Sequence, residues 1–428
     1  MAKIKNVVIL GDSMSDIGNK WIWPSGQVGR LFGRMRVNET GRFSDGKNWT
    51  DFLVEWSTGE ALMWGNSDLT IRKSTDYRTL SNYSVLDVDP GDKPPQMKSW
   101  RSLDDCLKQL NQEKTQSTKP VNLPERIKYV NYAMGGCIAT RDWTIAPKFG
   151  ALSYLRGQVE DYIGQRKALD TQFAGPTLHV VWIGLNDFVT AERPDYDPAK
   201  VPNAPATNDY AAWRAWSQAH PGELRNGEGA YPAVEETRSL IELIVSSFPG
   251  TKADQYFMVI DLPSVYNAIR YMDGIAEPDK VEQAKTIDPV ISRYNGILKS
   301  LVLNWPDPTA AAAPAQGHVH LVEMSKWMNH ISQNLDVWHL SKKAQDPGVK
   351  PFYDAGIPPA PQQDPVAEDV RRRITTSDLG HPTQAVYSLI ARYFVTKLLK
   401  SGHTLGRLDN DTWSKGAPFS DQPFDIPS

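Results

Sequence analysis

Five short apolar segments, each ending near a turn signal, constrain the fold of this 428-residue chain more than any other feature. Several are nearly continuous in Val, Ile, Leu and aromatic residues, which is typical of parallel strands buried on both faces. The segments are Lys5–Leu10, Tyr129–Ala133, Leu178–Ile183, Tyr256–Leu262 and His318–Met324. The sequence therefore predicts a parallel β-sheet whose strands are separated by long connections.

Between these segments, apolar residues recur every three or four positions, as on one face of an amphipathic helix. The clearest examples cover residues 234–248, 287–301 and 386–398. Strands that alternate with such helices favour a doubly wound α/β sheet with helices on both sides. We expect one α/β domain over residues 1–428, with large loop insertions at about 57–128, 188–230 and 338–377. Loops of this length are often binding loops or lids.

Composition excludes several classes of protein. With 40% hydrophobic and 23% charged residues, the chain is that of an ordinary globular protein. A net charge of −3 provides no basic surface for nucleic acid, so we expect no nucleic-acid partner. No apolar run approaches 18 residues, so we expect no transmembrane segment. Peripheral membrane contact and the oligomeric state stay open.

Cysteine and histidine usage predicts neither a disulfide framework nor a metal site. Cys106 and Cys137 are too few for a framework, and two reduced thiols are favoured over a single bridge. His318 and His320 alternate along a predicted strand without further ligands at a metal-binding spacing, which favours a structural role. We therefore expect no metal site on these residues.

The N-terminal apolar run Val7–Leu10 is too short for the core of a signal peptide. It is better explained as part of the first strand. We therefore expect a cytoplasmic location by default, with secretion by a leaderless route or after removal of a leader as the open alternatives.

The first predicted strand leads directly into Gly11, Asp12 and Ser13. Ser13 is thereby placed at the carboxyl end of a buried strand, where open α/β sheets bind ligands. Backbone N–H groups at such a position suit an anion or a developing oxyanion. Asp and Ser are also ordinary helix N-cap residues, so the tripeptide alone is a weak signal.

A serine nucleophile needs a general base, which is usually a histidine. Among the eight histidines, His381 stands out because it precedes the last amphipathic segment and follows Asp378 by three residues. The Asp378 carboxylate is placed to accept a hydrogen bond from one ring nitrogen and fix the tautomer.

Two other loops follow predicted strands in the same way. Asn131–Gly136 follows the second strand, and Gly184–Asp187 follows the third. A glycine lets a backbone N–H approach a reacting oxygen closely, and an asparagine side chain supplies another donor. Each loop alone also fits a tight turn. The order of all the segments along the chain is more specific than any one of them.

Together these segments make the chain resemble the SGNH hydrolases, the GDSL esterase and lipase family, whose blocks centre on Ser, Gly, Asn and His. The resemblance spans residues 7–396, and Met14 stands where the family name has leucine. The segments similar to the first, second, third and fifth blocks are Gly11–Asn19, Asn131–Gly136, Gly184–Asp187 and Asp378–His381. Further similar stretches are Gly41–Trp49, Leu262-Pro263 and Tyr294-Asn295.

The resemblance implies a three-layer α/β/α, flavodoxin-like domain with a five-stranded parallel sheet. It implies Ser13 as the nucleophile, His381 as the general base and Asp378 as the group that orients the imidazole. The implied oxyanion hole consists of the Ser13 and Gly136 backbone N–H groups and the Asn186 side-chain amide, and Gly135 is the alternative to Gly136.

The implied activity is hydrolysis of carboxylic esters through an acyl-enzyme, as in a GDSL lipase or esterase. The resemblance implies no metal and no organic cofactor. An acyltransferase that uses an alcohol acceptor has the same site residues and is the first alternative. A binding module that kept the fold without catalysis is the second. The partner is in each case a small-molecule or lipid ester, of which the sequence leaves the acyl length open.

Overall fold

The computed structural model describes residues 2–22, 26, 42–44, 47–58, 127–140, 153–168, 174–197, 199, 201, 203–224, 228–272, 276–306, 309–338, 340, 373–376, 380–406 and 408–409. Most of the insertions expected at about 57–128 and 338–377 therefore lie outside the described residues, and so do Cys106 and Asp378.

The strands of the described part form two sheets. Their bounds are Ala2–Ile4 (β1), Asn6–Gly11 (β2), Lys128–Asn131 (β3), Thr177–Trp182 (β4), Gln255–Ile260 (β5), Val319–Val322 (β6) and His403–Leu405 (β7). Strands β2 to β6 form a parallel five-stranded sheet in the order β3-β2-β4-β5-β6, and β1 pairs with β7. All five predicted strands are confirmed, with ends shifted by one or two residues.

The helices connect these strands. Their bounds are Asn19–Ile22 (α1), Trp49–Thr58 (α2), Leu155–Ala168 (α3), Leu185–Val189 (α4), Tyr210–Ala219 (α5), Tyr231–Ser247 (α6), Pro278–Leu303 (α7), Met324–Gln333 (α8) and Gln384–Lys400 (α9). The three helices predicted from apolar periodicity correspond to α6, α7 and α9. Among the helices described, none combines the length and apolar character that a membrane crossing requires.

Helix α5 lies within residues 188–230, a segment without a strong aliphatic period. Its aromatic residues Tyr210, Trp213 and Trp216 are buried at spacings of three. The Asp209 side chain caps the helix by accepting a hydrogen bond from the Ala211 N–H. Part of this predicted insertion is therefore a helix packed on α7. The periodicity of Val, Ile and Leu did not predict this helix, because its buried residues are aromatic.

Helices cover both faces of the main sheet. On β4, Trp182 contacts Trp49 of α2, with ring centroids 6.1 Å apart. His179, three residues earlier, contacts Tyr162 of α3 at 5.4 Å. Because side chains alternate along a strand, these two residues face opposite sides of the sheet. The protein is thus an α/β protein with a five-stranded parallel sheet flanked by helices, as the alternation of strands and helices predicted.

The strand order reverses between β2 and β4. From β2 the chain adds β3 on one side of the sheet, and all later strands lie on the other side. Gly11 at the end of β2 is in register with Trp182 at the end of β4. In open α/β sheets, ligands bind at the carboxyl ends of strands beside such a reversal. The loops that carry Ser13 and Asn186 leave the sheet at this point.

We expect Gly11→Ala to destabilise the protein by about 1–3 kcal/mol, because an added Cβ has no room between β2 and β4. It would lie 2.4 Å from the Trp182 carbonyl oxygen, a backbone atom held by the sheet. The control is Gly164→Ala on the exposed side of α3, where nothing lies within 4 Å. That variant should gain about 0.5–1 kcal/mol. Urea denaturation measures both, and equal stability of the two variants would contradict the prediction.

The small sheet brings His403 of β7 against the end of the main sheet. Its Nε2 lies 3.2 Å from Nε2 of His320, and its ring contacts Tyr256. Burial lowers the pKa of His403 to about 4, and the neighbouring His320, His318 and N-terminus act in the same direction. The pKa of His320 is also lowered, mainly by burial. His318 stacks on Tyr256, and His320 contacts His403, which is consistent with the structural role that the alternation along β6 favours for His318 and His320.

We expect His403 to lower the free energy of unfolding as the pH drops from 7 to 5, a window in which the buried carboxyl groups of Asp12 and Asp261, whose pKa values burial raises to about 7, act in the opposite direction. In that window the unfolded chain, with an ordinary histidine pKa near 6.5, binds a proton at position 403 that the folded protein does not. His403 alone accounts for about 2 kcal/mol of this loss. His403→Gln should remove this contribution, so that its stability at pH 5 relative to pH 7 is about 2 kcal/mol higher than in the wild type. His220→Gln, at an exposed site, should leave the relative stability as in the wild type. Identical pH profiles for His403→Gln and the wild type would contradict this assignment.

Candidate active site

The loop after β2 is held in place by the buried carboxylate of Asp16. This carboxylate accepts hydrogen bonds from the N–H groups of Gly18, Asn19, Lys20 and Gly135, at 2.6–3.1 Å. The Gly135 bond ties the loop after β2, which carries Ser13, to the loop after β3. Such a network fixes the backbone on both sides of the predicted site, as preorganised catalysis requires.

Asparagines strengthen the same connection. The Asn131 amide donates to the Ser15 carbonyl at 2.8 Å, and the Asn19 amide donates to the carbonyls of Asn131 and Ala133 at 2.9 and 2.8 Å. The similarity of Asn131–Gly136 to the second family block therefore includes an asparagine whose role here is to join two loops.

The described part of Gly41–Trp49 packs against the loop after β2 that carries Ser13. Arg42 donates to the Ile17 carbonyl at 2.9 Å and forms a buried ion pair with Asp51. The Asn48 amide donates to the Asp16 carbonyl, and the Trp49 indole N–H donates to Ser15 Oγ, both at 3.0 Å. This stretch thus fixes the loop after β2 by contacts additional to those that the loop after β3 makes.

Ser13 and His381 meet although 368 residues separate them. The Ser13 Oγ lies 2.7 Å from Nε2 of His381, and the serine is 7% exposed. This distance suits transfer of the hydroxyl proton to an unprotonated Nε2. The Phe43 ring packs against the imidazole, with centroids 4.9 Å apart. The sequence did not single out Phe43, although it lies in Gly41–Trp49.

The third predicted catalytic residue is Asp378. It lies outside the described residues, and its role as the partner of His381 stays a prediction. On both sides of it the chain is fixed, because the Thr376 N–H donates to the His381 carbonyl at 2.8 Å.

Two backbone N–H groups in the site are available as donors. Within the described residues, neither the Ser13 nor the Gly136 N–H has a hydrogen-bond acceptor. The Gly135 N–H, by contrast, donates to Asp16 at 2.7 Å. Gly136 has a φ of 76°, in the left-handed region that favours glycine. These contacts favour Gly136 over Gly135 as the second backbone donor.

Asn186 lies in the first turn of α4, and three contacts position its side chain. Its Nδ2 donates to the Cys137 carbonyl at 3.2 Å and to the Asp12 carboxylate at 3.3 Å. Its Oδ1 accepts a 2.5 Å hydrogen bond from the Thr190 hydroxyl, one helical turn later. The two amide bonds are longer than the usual 2.9–3.0 Å, so a stronger acceptor can take one of these hydrogens. Sequence reasoning missed Thr190, although the spacing of four on a helix indicates such a contact.

Buried carboxyl groups surround the nucleophile. Burial raises the pKa of Asp12 to about 7, and Asp187 and Asp16 act in the same direction, whereas the Met14 N–H and His381 oppose it. Burial also raises the pKa of Asp187, against the effect of Arg193. Asp12 therefore loses much of its negative charge near neutral pH, and this favours formation of an anion beside it.

Cys137 has a free, buried thiol behind Asn186. Burial raises the pKa of this thiol, which keeps it protonated at neutral pH. Since the thiolate is the reactive form, the hydroxyl of Ser13 remains the stronger candidate nucleophile.

A cavity of about 340 Å³ joins these groups. Its lining includes Ser13, Gly136, Asn186 and His381, together with apolar residues of α4, α8 and the segment after β5. Tyr294 and Asn295 do not line the cavity but fix the backbone that leads into its lining residues Leu185 and Pro263. The Tyr294 hydroxyl donates to the Ile183 carbonyl at 2.9 Å, and Asn295 makes two 2.8 Å bonds with the backbone of Leu262. Within the part of the chain that is described, no group of three or more His, Cys, Asp or Glu side chains is arranged to hold a metal ion.

A scan against protein-family models finds no matching family, and a search of curated proteins finds no match.

Proposed function

We propose that this protein is a serine-dependent carboxylic ester hydrolase of the SGNH type, with a three-layer α/β/α domain. The observation that carries the proposal is the 2.7 Å contact between Ser13 Oγ and His381 Nε2. It lies at the strand-order reversal, in one cavity with Gly136 and Asn186. A hydroxyl, a base and three convergent donors are the groups that acyl transfer requires.

The reaction proceeds through an acyl-enzyme. His381 accepts the Ser13 proton while Oγ attacks the ester carbonyl carbon. The Ser13 N–H, the Gly136 N–H and the Asn186 amide donate to the tetrahedral oxyanion. The protonated His381 then passes its proton to the leaving alkoxide, and water repeats these steps to release the acid. In this scheme Asp378 orients the imidazole.

The Asn186 amide changes partners during this cycle. One of its hydrogens leaves the carboxyl of Asp12 or the carbonyl of Cys137 and donates to the oxyanion. The Thr190 hydroxyl holds the other end of the side chain meanwhile, so the amide rotates little. Because no large reorganisation is needed, the donor is effective when the charge forms.

The test is covalent labelling combined with product analysis. An organophosphonate should attach to Ser13, as peptide mass spectrometry will show, and the attachment should abolish hydrolysis of p-nitrophenyl esters. Adding an alcohol acceptor then separates hydrolase from acyltransferase, because a transferase forms a new ester instead of free acid. The proposal would be overturned if the protein neither reacts with the phosphonate nor cleaves any of the p-nitrophenyl esters.

A further inference from the structure

We propose that the acyl group of the substrate is an unbranched apolar chain of about six to eight carbons, bound in the cavity beside Ser13. The inference rests on the proposed function, since it assigns the acyl part of an ester that Ser13 attacks. The catalytic residues alone do not distinguish acetyl esters of carbohydrates, medium-chain esters and long-chain lipids. The shape and lining of the cavity favour the medium-chain esters.

The apolar character of the cavity comes from several separate elements. Leu185 and Val189 line it from α4, and Met328 lines it from α8. Val265 and Ala268 belong to the segment after β5. Because these side chains come from parts of the chain that are distant in sequence, the folded protein brings them together into one apolar wall. Such a wall binds methylene groups by removing them from water.

The polar side chains in the described lining are largely occupied by protein partners. The Ser264 hydroxyl donates to Asp288, and the Asn267 amide donates to Asn329. Arg270, beside them, hydrogen-bonds the Tyr271 hydroxyl. Thr190 is bound to Asn186. The hydroxyl oxygen of Thr375 is the exception in this described lining, since it is shielded from solvent and has no hydrogen-bond partner.

This occupancy favours an apolar acyl chain over a sugar. A carbohydrate ester would bring several hydroxyl groups, each of which must replace its bonds to water with bonds to the site. The described lining also contains no carboxylate, the group that often accepts from sugar hydroxyls. An alkyl chain requires no hydrogen-bond partner and can be buried here without loss.

The size of the cavity sets the chain length. A volume of about 340 Å³ corresponds to roughly eleven groups of the size of a water molecule, at about 30 Å³ each. The carbonyl carbon and the two ester oxygens fill about three of these eleven water-sized volumes. Six to eight carbons fill the remainder, and a chain of twelve or more would extend beyond the cavity.

A graded ester series tests this assignment. For p-nitrophenyl esters from acetate to palmitate, kcat/KM should rise about fourfold with each added methylene, which is the gain expected from burying one methylene. From acetate to hexanoate the rise should be on the order of 10². Beyond octanoate the values should level off or fall, because further carbons remain in water.

A substitution in the wall links the length preference to this cavity. Ala268→Phe, which adds volume at a partly buried alanine of the lining, should lower the octanoate-to-acetate ratio of kcat/KM at least tenfold. Ala204→Phe is the matched control, since Ala204 is also partly buried and packed on the core but does not line the cavity. Its ratio should equal that of the wild type. Ala268→Leu replaces Ala268→Phe if the larger variant does not fold.

The outcomes separate this inference from the proposed function. If acetate is the best substrate, or if kcat/KM keeps rising to palmitate, the chain-length assignment is wrong although Ser13-dependent hydrolysis stands. An unchanged ratio in both Ala268 variants would likewise overturn the assignment to this wall. Failure of every ester together with failure of phosphonate labelling would instead overturn the proposed function.

Discussion

Replacing Ser13 with alanine should lower kcat for ester hydrolysis by roughly 10⁴-fold or more while leaving the protein folded. The reason is that no other group in the described cavity is placed to form the acyl-enzyme. The structural effect should be small, because among the described residues the hydrogen-bond partner of the Ser13 hydroxyl is His381 alone. Burst and steady-state kinetics with a soluble ester measure the loss, and thermal denaturation measures the effect on folding.

The matched control is Ser15→Ala in the same loop. Ser15 is fully buried, and its hydroxyl accepts a hydrogen bond from the Trp49 indole. Its removal should lower stability by about 1 kcal/mol or more, because a buried donor loses its partner. Turnover and phosphonate labelling should stay within tenfold of the wild type. If turnover by Ser13→Ala also stays within tenfold of the wild type, another residue is the nucleophile.

The sheet was predictable because its signal is local. Residues of β2 such as Val7, Val8 and Ile9 form a continuous apolar run that identifies a strand buried on both faces. The strand ends were less well predicted, since they depend on hydrogen bonds between strands. Thr177 and Gln255 begin β4 and β5 although neither is apolar. Pairing along the sheet, which a single segment does not encode, determines those positions.

The site was predictable only where a residue type has a chemical role. Ser13, His381 and Asn186 stood out by their positions after strands or before a helix, and the structure places all three in one cavity. Phe43 and Thr190 have no such chemistry of their own. They matter because they contact His381 and Asn186 in the folded protein, and contacts of this kind depend on tertiary packing.

Gln158 is a structural residue whose role also could not be predicted from the sequence, because it depends on tertiary packing. Its side chain makes a pair of hydrogen bonds with the Gly11 backbone, at 2.9 and 2.8 Å, and so fixes the end of β2 directly before the loop that carries Ser13. In the sequence it is an ordinary polar residue of helix α3. Only the packing of that helix against β2 reveals why a buried amide lies there.

Replacing Asn186 with alanine should lower kcat by about 10²–10³-fold with little change in KM, because one preorganised donor to the oxyanion is lost. The ground-state ester carbonyl carries little charge, so the donor acts mainly in the transition state. The substitution also leaves Asp12 without one of its hydrogen-bond donors. Steady-state kinetics with the preferred ester measure kcat and KM separately, and the rate of phosphonate labelling gives an independent measure of the same donor.

The matched control is Asn267→Ala, the same substitution in the lining of the same cavity. The Asn267 amide is bound to Asn329 and lies among the residues assigned to the acyl chain. Its loss should alter KM or the length preference and change kcat less than tenfold. If both variants lose kcat equally, the effect comes from disturbance of the cavity. If Asn186→Ala raises KM at constant kcat, Asn186 binds the substrate without stabilising the oxyanion. A loss of kcat confined to position 186 is the result that the geometry of Asp12, Cys137 and Thr190 around this amide leads us to expect.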